Sequence, residues 1–94
     1  MIKVVINRDF GGFGLSDDAE ALYKERKGIT DTRWSYYDIL RDDPILVQIV
    51  EEMGSNANGD YAELKVVEIP DDADWYIEEY DGSEWVAERH RTWR

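Results

Sequence analysis

Three stretches of the chain carry residue types that could do chemistry. The first is a run of carboxylates, Asp71, Asp72 and Asp74, then Glu78, Glu79, Asp81 and Glu84. Calcium loops alternate their oxygen ligands and place a glycine among them; Asp-Asp-Ala-Asp does neither, which excludes that use. Paired carboxylates serve acid–base catalysis only where a cleft drives their pKa values apart, and spacing alone selects no such pair. The second stretch is Arg8-Asp9-Phe10-Gly11-Gly12-Phe13-Gly14-Leu15-Ser16, with the outline of an anion-binding turn. A Walker loop needs a lysine at the helix start, and the dinucleotide pattern begun at Gly12 and Gly14 meets Asp17 where its third glycine belongs. Asp17 and Asp18 set negative charge where a phosphate would rest on the helix amides. Arg8, Gly12 and Ser16 remain candidates for a small polar ligand. The third stretch is the tail Glu88-Arg89-His90-Arg91-Thr92-Trp93-Arg94. His90 is the only histidine, which leaves no histidine pair for a metal and no partner motif for a triad. Arg89 and Arg91 suit a carboxylate or phosphate, or else neutralise the acidic body. With no cysteine there is no thiol chemistry, disulfide or Cys-based zinc site. No metal or cofactor is expected.

The charge that surrounds these stretches is segregated. The chain has 94 residues and a net charge of -11. Residues 1–41 balance seven acidic against seven basic side chains, whereas residues 42–84 hold fourteen acidic residues against Lys65 alone. Such a field repels nucleic acid and anionic lipid, and it attracts basic protein surfaces, including those that grip nucleic acid. Direct binding of nucleic acid is disfavoured. Apolar residues at 43% and twelve aromatic side chains are too many for a disordered acidic tail. The length supports one domain, residues 1–94. No apolar run is long enough to span a bilayer, and Met1 opens directly onto strand-like sequence, so a soluble cytoplasmic domain is the expectation.

The elements that must position these residues follow from periodicity and punctuation. Ile2, Val4 and Ile6 alternate as in a strand half-buried on one face. Ser16 as cap, Asp17 and Asp18 in the first turn, a basic last turn and Gly28 bound a helix to Lys27, with Ala19, Leu22 and Tyr23 inward. Residues 29–41 read as an irregular connector. Asp43-Pro44 opens a second helix, with Leu46, Ile49, Val50 and Met53 on one face and Gly54 closing it. Residues 61–69 alternate as a second strand, halted by Pro70. Asp81-Gly82 joins two further strands in a hairpin. A two-residue turn puts Trp75, Ile77 and Val86 on one face, and Tyr76, Tyr80, Trp85 and Ala87 on the other; both faces are partly apolar, so neither is marked as the solvent face. That register also sets Glu79 opposite Glu84, a like-charge pair that favours a functional negative surface over a purely structural one; a three-residue loop with a bulge would change the register. The order β-α-α-β-β-β predicts an α+β domain with an antiparallel sheet of about four strands and both helices on one face. Phe10 and Phe13 are expected to pin the glycine turn to the core.

At both ends the sequence resembles a family of small, uncharacterised bacteriophage and prophage proteins. The resemblance is carried by Val4-Val5-Ile6-Asn7-Arg8-Asp9-Phe10-Gly11-Gly12-Phe13-Gly14-Leu15-Ser16, by Glu68-Ile69-Pro70-Asp71-Asp72 and Trp75-Tyr76-Ile77-Glu78-Glu79-Tyr80-Asp81-Gly82, and by Glu88-Arg89-His90-Arg91-Thr92-Trp93. Family members often have Cys-Tyr or Cys-Phe after Asn-Arg; Asp9-Phe10 departs from that, which speaks against a required thiol. No reaction or site comes with the resemblance. It implies a small phage product acting in the bacterial cytoplasm.

The leading expectation is therefore a non-enzymatic interaction protein. It would bind a host or phage protein of basic surface and inhibit a nucleic-acid-handling or defence factor. Asp71, Asp72, Asp74, Glu78, Glu79, Asp81 and Glu84 would form the acidic face, with Trp75, Tyr76, Tyr80 and Trp85 as anchors. The alternative is a small-ligand or nucleotide-binding module joining Arg8, Gly12 and Ser16 to Arg89 and Arg91. A homo-oligomer through the aromatic sheet face stays open, although the net charge opposes it.

Overall fold

A computed structural model describes residues 1–30 and 34–89. The tail residues His90, Arg91 and Trp93 lie outside that set, as does part of the connector, residues 31–33. The element order is β1 (Ile2–Asn7), α1 (Asp17–Lys27), a 3-10 turn at Tyr36–Asp38, α2 (Pro44–Met53), a second 3-10 turn at Gly54–Ala57, β2 (Leu64–Ile69), β3 (Trp75–Tyr80) and β4 (Ser83–Glu88). This is the α+β order the sequence implies. The strands, however, form two sheets of two strands each, β1–β2 and β3–β4, rather than one sheet of four.

Both helices start and stop on the residues that have the chemistry for it. The Ser16 hydroxyl accepts the Ala19 amide, and Gly28 ends α1 at φ 69°. Asp43 caps α2 by accepting the Ile45 amide, Pro44 takes the first helical position, and Gly54 closes the helix at φ 58°. Burial falls on Ala19 and Tyr23 in α1 and on Leu46, Val47, Ile49 and Val50 in α2. The second strand begins at Leu64 rather than at Tyr61, because Asn58 Oδ1 accepts the Leu64 amide and a turn runs through the preceding residues.

β1 pairs with β2 antiparallel, Ile2 opposite Ile69 and Asn7 opposite Leu64. It is buried on both sides, not one. Val5, with Leu64 and Val66, belongs to the core built from Leu15, Ala19, Tyr23, Leu46, Ile49 and Val50. Val4, Ile6 and Ile69 form a second core with Ile2, Val67, Trp75, Ile77 and Val86. The hairpin β3–β4 thus packs over β1 by its apolar inner face.

The reason the hairpin does not join β1 as a third strand is visible at the second edge of β1. There the Val5 amide donates to the Arg41 carbonyl at 2.8 Å, and the Arg41 guanidinium donates to the Val5 carbonyl at 3.4 Å. The Asn7 amide donates to the Glu84 carboxylate at 2.8 Å. Arg41 and Glu84 are themselves joined by two charge-assisted hydrogen bonds of 2.5 and 2.8 Å. The Arg41 backbone carbonyl and the Arg41 and Glu84 side chains occupy the ladder positions a neighbouring strand would have taken, which satisfies a buried strand edge without extending the sheet.

Candidate functional site

The hairpin register is the one a two-residue Asp-Gly turn demands. Tyr80 faces Ser83, Ile77 faces Val86 and Trp75 faces Glu88, with Asp81 at φ 51° and Gly82 at φ 89°, as a type I′ turn requires. Alternation then assigns the faces. Trp75, Ile77 and Val86 turn inward to the second core, so Trp75 is a packing residue and not a surface anchor. Tyr76, Glu78, Tyr80 and Trp85 lie on the outer face. Glu78 accepts the Tyr76 hydroxyl at 2.7 Å and the Trp85 indole N–H at 3.1 Å, which ties the two rings together. This contact first, and burial next, raise the Tyr76 hydroxyl above its ordinary pKa. Tyr80 is 69% exposed and Trp85 44% exposed.

The acidic residues are less uniform than their sequence run suggests. Glu84, expected on an outward negative face, is only 7% exposed. It sits beside Glu79 in register, yet its carboxylate is taken up by Arg41 and the Asn7 amide, which relieves the like-charge contact. Asp71 lies 2.7 Å from the Met1 ammonium and Asp74 lies 2.6 Å from the Arg89 guanidinium. On the helices Asp43 pairs with Lys27, Glu51 with Lys3 and Glu52 with Arg26. Of the fourteen carboxylates of residues 42–84, cations among the described residues meet six, on several elements. Asp72, Glu79 and Asp81 stay exposed and carry no ion pair among the described residues.

Of the arginines in the alternative, Arg91 lies outside the described residues, and Arg8 and Arg89 sit at opposite ends of the hairpin. The Arg8 carbonyl accepts the Ser83 hydroxyl, so Arg8 lies at the turn end of the hairpin. Arg89 donates its amide to Asp74 at the open end. Six strand residues separate the two, about 20 Å at the usual rise. Ser16 is committed as well: besides capping α1, its hydroxyl donates to the Asn56 carbonyl at 2.7 Å. Gly12 takes φ 92° with open space where a Cβ would lie, whereas Gly11 is required by packing. A Cβ on Gly11 would overlap Tyr61, and one on Gly82 would overlap Gly12 and the Phe10 carbonyl. Phe13 is buried, with the Arg41 guanidinium 3.7 Å above its ring; Phe10, expected to anchor the turn, is 67% exposed.

One concave feature joins the glycine turn, with its candidate residues Gly12 and Ser16, to residues distant in sequence. Residues 11–17 and 59–62, with Glu20, Tyr36 and Tyr37, line a cleft of about 390 Å³. The rings of Tyr36 and Tyr37 lie 4.6 Å apart, tilted by 42°, and Phe13 backs Tyr36 at 6.0 Å. Tyr37 and Tyr61 are among the most exposed large side chains of the protein. Contact with Tyr37 first, burial next and the charge of Glu20 last raise the Tyr36 hydroxyl above its ordinary pKa. Asp17, Glu20 and Asp60 supply the charge, and no Lys or Arg lines the cleft among the described residues. Nor, among those residues, do three metal-ligating side chains converge on a common point. The sequence signal for the cleft was the glycine turn, whose candidate ligand residues Gly12 and Ser16 both line it. No family model, curated protein or solved structure matches this chain.

Proposed function

We propose that this chain is a non-enzymatic interaction protein that binds a partner of basic surface through the outer face of its C-terminal hairpin. Tyr80 and Trp85 are the anchors, Tyr76 and Glu78 hold Trp85 in place, and Glu79 and Asp81 supply the charge at the turn end. The observation that supports it is an exposed Tyr and Trp on a two-stranded face whose reverse side packs on β1 through Trp75, Ile77 and Val86. Tyr and Trp are the side chains that most often carry binding energy at interfaces, and neighbouring unpaired carboxylates favour a cationic partner and speed its encounter. In the bacterial cytoplasm to which the phage resemblance points, strongly basic surfaces belong largely to nucleic-acid-handling factors. Inhibition of such a factor, by occupying the surface it uses for nucleic acid, is the physiological role this reading implies.

The test is capture from bacterial lysate on the immobilised protein at low and moderate salt, beside Tyr80→Ala/Trp85→Ala and Glu79→Gln/Asp81→Asn variants. All four are exposed side chains, and none belongs to the second core. A basic protein retained at low salt, weakened by salt and by each pair of substitutions, supports the proposal. Retention that ignores salt and all four substitutions defeats it.

A further inference from the structure

The cleft beside the glycine turn has chemistry that the hairpin face does not use. Its walls are three tyrosines, Tyr36, Tyr37 and Tyr61, and its charged residues are Asp17, Glu20 and Asp60. No ion pair joins those carboxylates to a cation among the described residues. The amino end of α1 adds about half a positive charge, while the Arg41 guanidinium behind Phe13 is neutralised by Glu84. Ser16 already takes up one of the free amides of α1. Three carboxylates outweigh half a positive charge, so the cleft attracts cations and repels anions.

Aromatic faces beside carboxylates select among cations. A guanidinium stacks flat on a tyrosine ring and forks its N–H groups to carboxylates, whereas an ammonium is a compact, strongly hydrated point charge. The protein already seats one guanidinium in this manner. Arg41 lies over Phe13, a wall of this same cleft, while both its terminal nitrogens bind the Glu84 carboxylate. At about 390 Å³ the cleft lies within the range of ligand pockets and has room for a long side chain with some of its backbone.

We infer that the cleft is a receptor for an arginine side chain presented by the basic partner, seated among Tyr36, Tyr37 and Tyr61 and held by Asp17, Glu20 and Asp60. This rests on the interaction role proposed above and adds a second contact to it. The two adjoin, since Gly82 at the hairpin turn packs on Gly12 and Phe10 of the glycine turn.

The experiment titrates the full chain, isotope-labelled in backbone amides and tyrosine rings, with N-acetyl-arginine amide. N-acetyl-citrulline amide, its neutral near-isostere, is the control. The expected result is saturable shifts at Tyr36, Tyr37, Tyr61 and residues 11–17, with citrulline binding at least about tenfold more weakly. Tyr61→Ala/Glu20→Gln, which keeps the Tyr61 Cβ that Gly11 packs against, should weaken arginine about tenfold and leave distant resonances in place. Equal response to citrulline overturns the inference. So do shifts spread over every exposed carboxylate, or arginine binding unchanged in the variant. A Trp85→Ala chain should still bind the arginine amide. If it does while the parent chain captures no basic protein, the hairpin proposal falls and the cleft stands; if the parent chain captures one and the amide leaves no saturable shift, the cleft assignment falls alone.

Discussion

Removing the Glu84 carboxylate should be among the most damaging single changes available in the hairpin. Two hydrogen bonds of 2.5 and 2.8 Å tie it to Arg41, and a third, of 2.8 Å, comes from the Asn7 amide. The Arg41 side chain is 21% exposed, and Asn7 is wholly buried. Glu84→Ala leaves a largely buried guanidinium without its anion and a buried amide without its acceptor. Breaking such a pair costs about 3–5 kcal/mol, and orphaning the amide costs roughly 1–3 kcal/mol. These overlap, and Arg41 can turn its exposed fraction to water, so a net loss of about 3 kcal/mol is expected. For a domain of this size that lowers Tm by roughly 12–24 °C. Glu79→Ala, one cross-strand position away on an exposed side chain, should stay within about 0.5 kcal/mol. Urea and thermal unfolding of the two variants, followed by near-ultraviolet circular dichroism, decide the matter. If Glu84→Ala unfolds within about 0.5 kcal/mol of the parent chain, the carboxylate is not sealing the edge of β1, and the account of why the sheet stops there is wrong.

Three further outcomes follow from the same geometry. Burial opposes the charge on Asp43, but the Tyr23 hydroxyl, the Ile45 amide and Lys27 outweigh it and hold the carboxyl below its ordinary 3.8. The stability it contributes is therefore complete above that value and lost as pH falls through the lower folded value; Asp43→Asn, which keeps the cap, should shrink the acid-induced loss of Tm in that window. Ser16→Ala removes the α1 cap and the bond to Asn56, and should cost about 1 kcal/mol in urea unfolding. Gly82→Ala forces a side chain into a φ of 89° and onto Gly12; a loss of about 2 kcal/mol or more, with altered amide resonances across residues 10–12, is expected.

What the sequence made legible was local. Asp81-Gly82 marks the turn, but the register waits on its length: the two-residue form found here admits one pairing, and a three-residue loop with a bulge would have given another. Ser16, Gly28, Asp43-Pro44 and Gly54 each mark a helix end through a bond to a residue a few positions away. The role of Glu84 was not legible, since it depends on Arg41, forty-three residues earlier. Its pairing with Glu79 was correctly marked as odd, but the oddity reflects a buried ion pair, not a functional negative surface. Phe10 and Phe13 flank the same glycines and are chemically alike, yet only contacts with Tyr36 and Arg41 decide which is inside. Beyond the glycine turn, the cleft was hidden for the same reason, because residues 11–17, 36–37 and 59–62 meet only in the folded chain.

Because no backbone ladder joins β3–β4 to β1, the hairpin can leave the body as a unit. That opening breaks one ion pair, a few side-chain bonds and the contacts of Trp75, Ile77 and Val86, and leaves the β1–β2 pairing intact. Amide hydrogen exchange should accordingly fall into two tiers, with the hairpin amides released by a cheaper, sub-global fluctuation than those of β1, β2 and α2. A ligand spanning the hairpin and the glycine turn would clamp that fluctuation, and the slowing of exchange in β3 and β4 would report its binding even where no side chain moves.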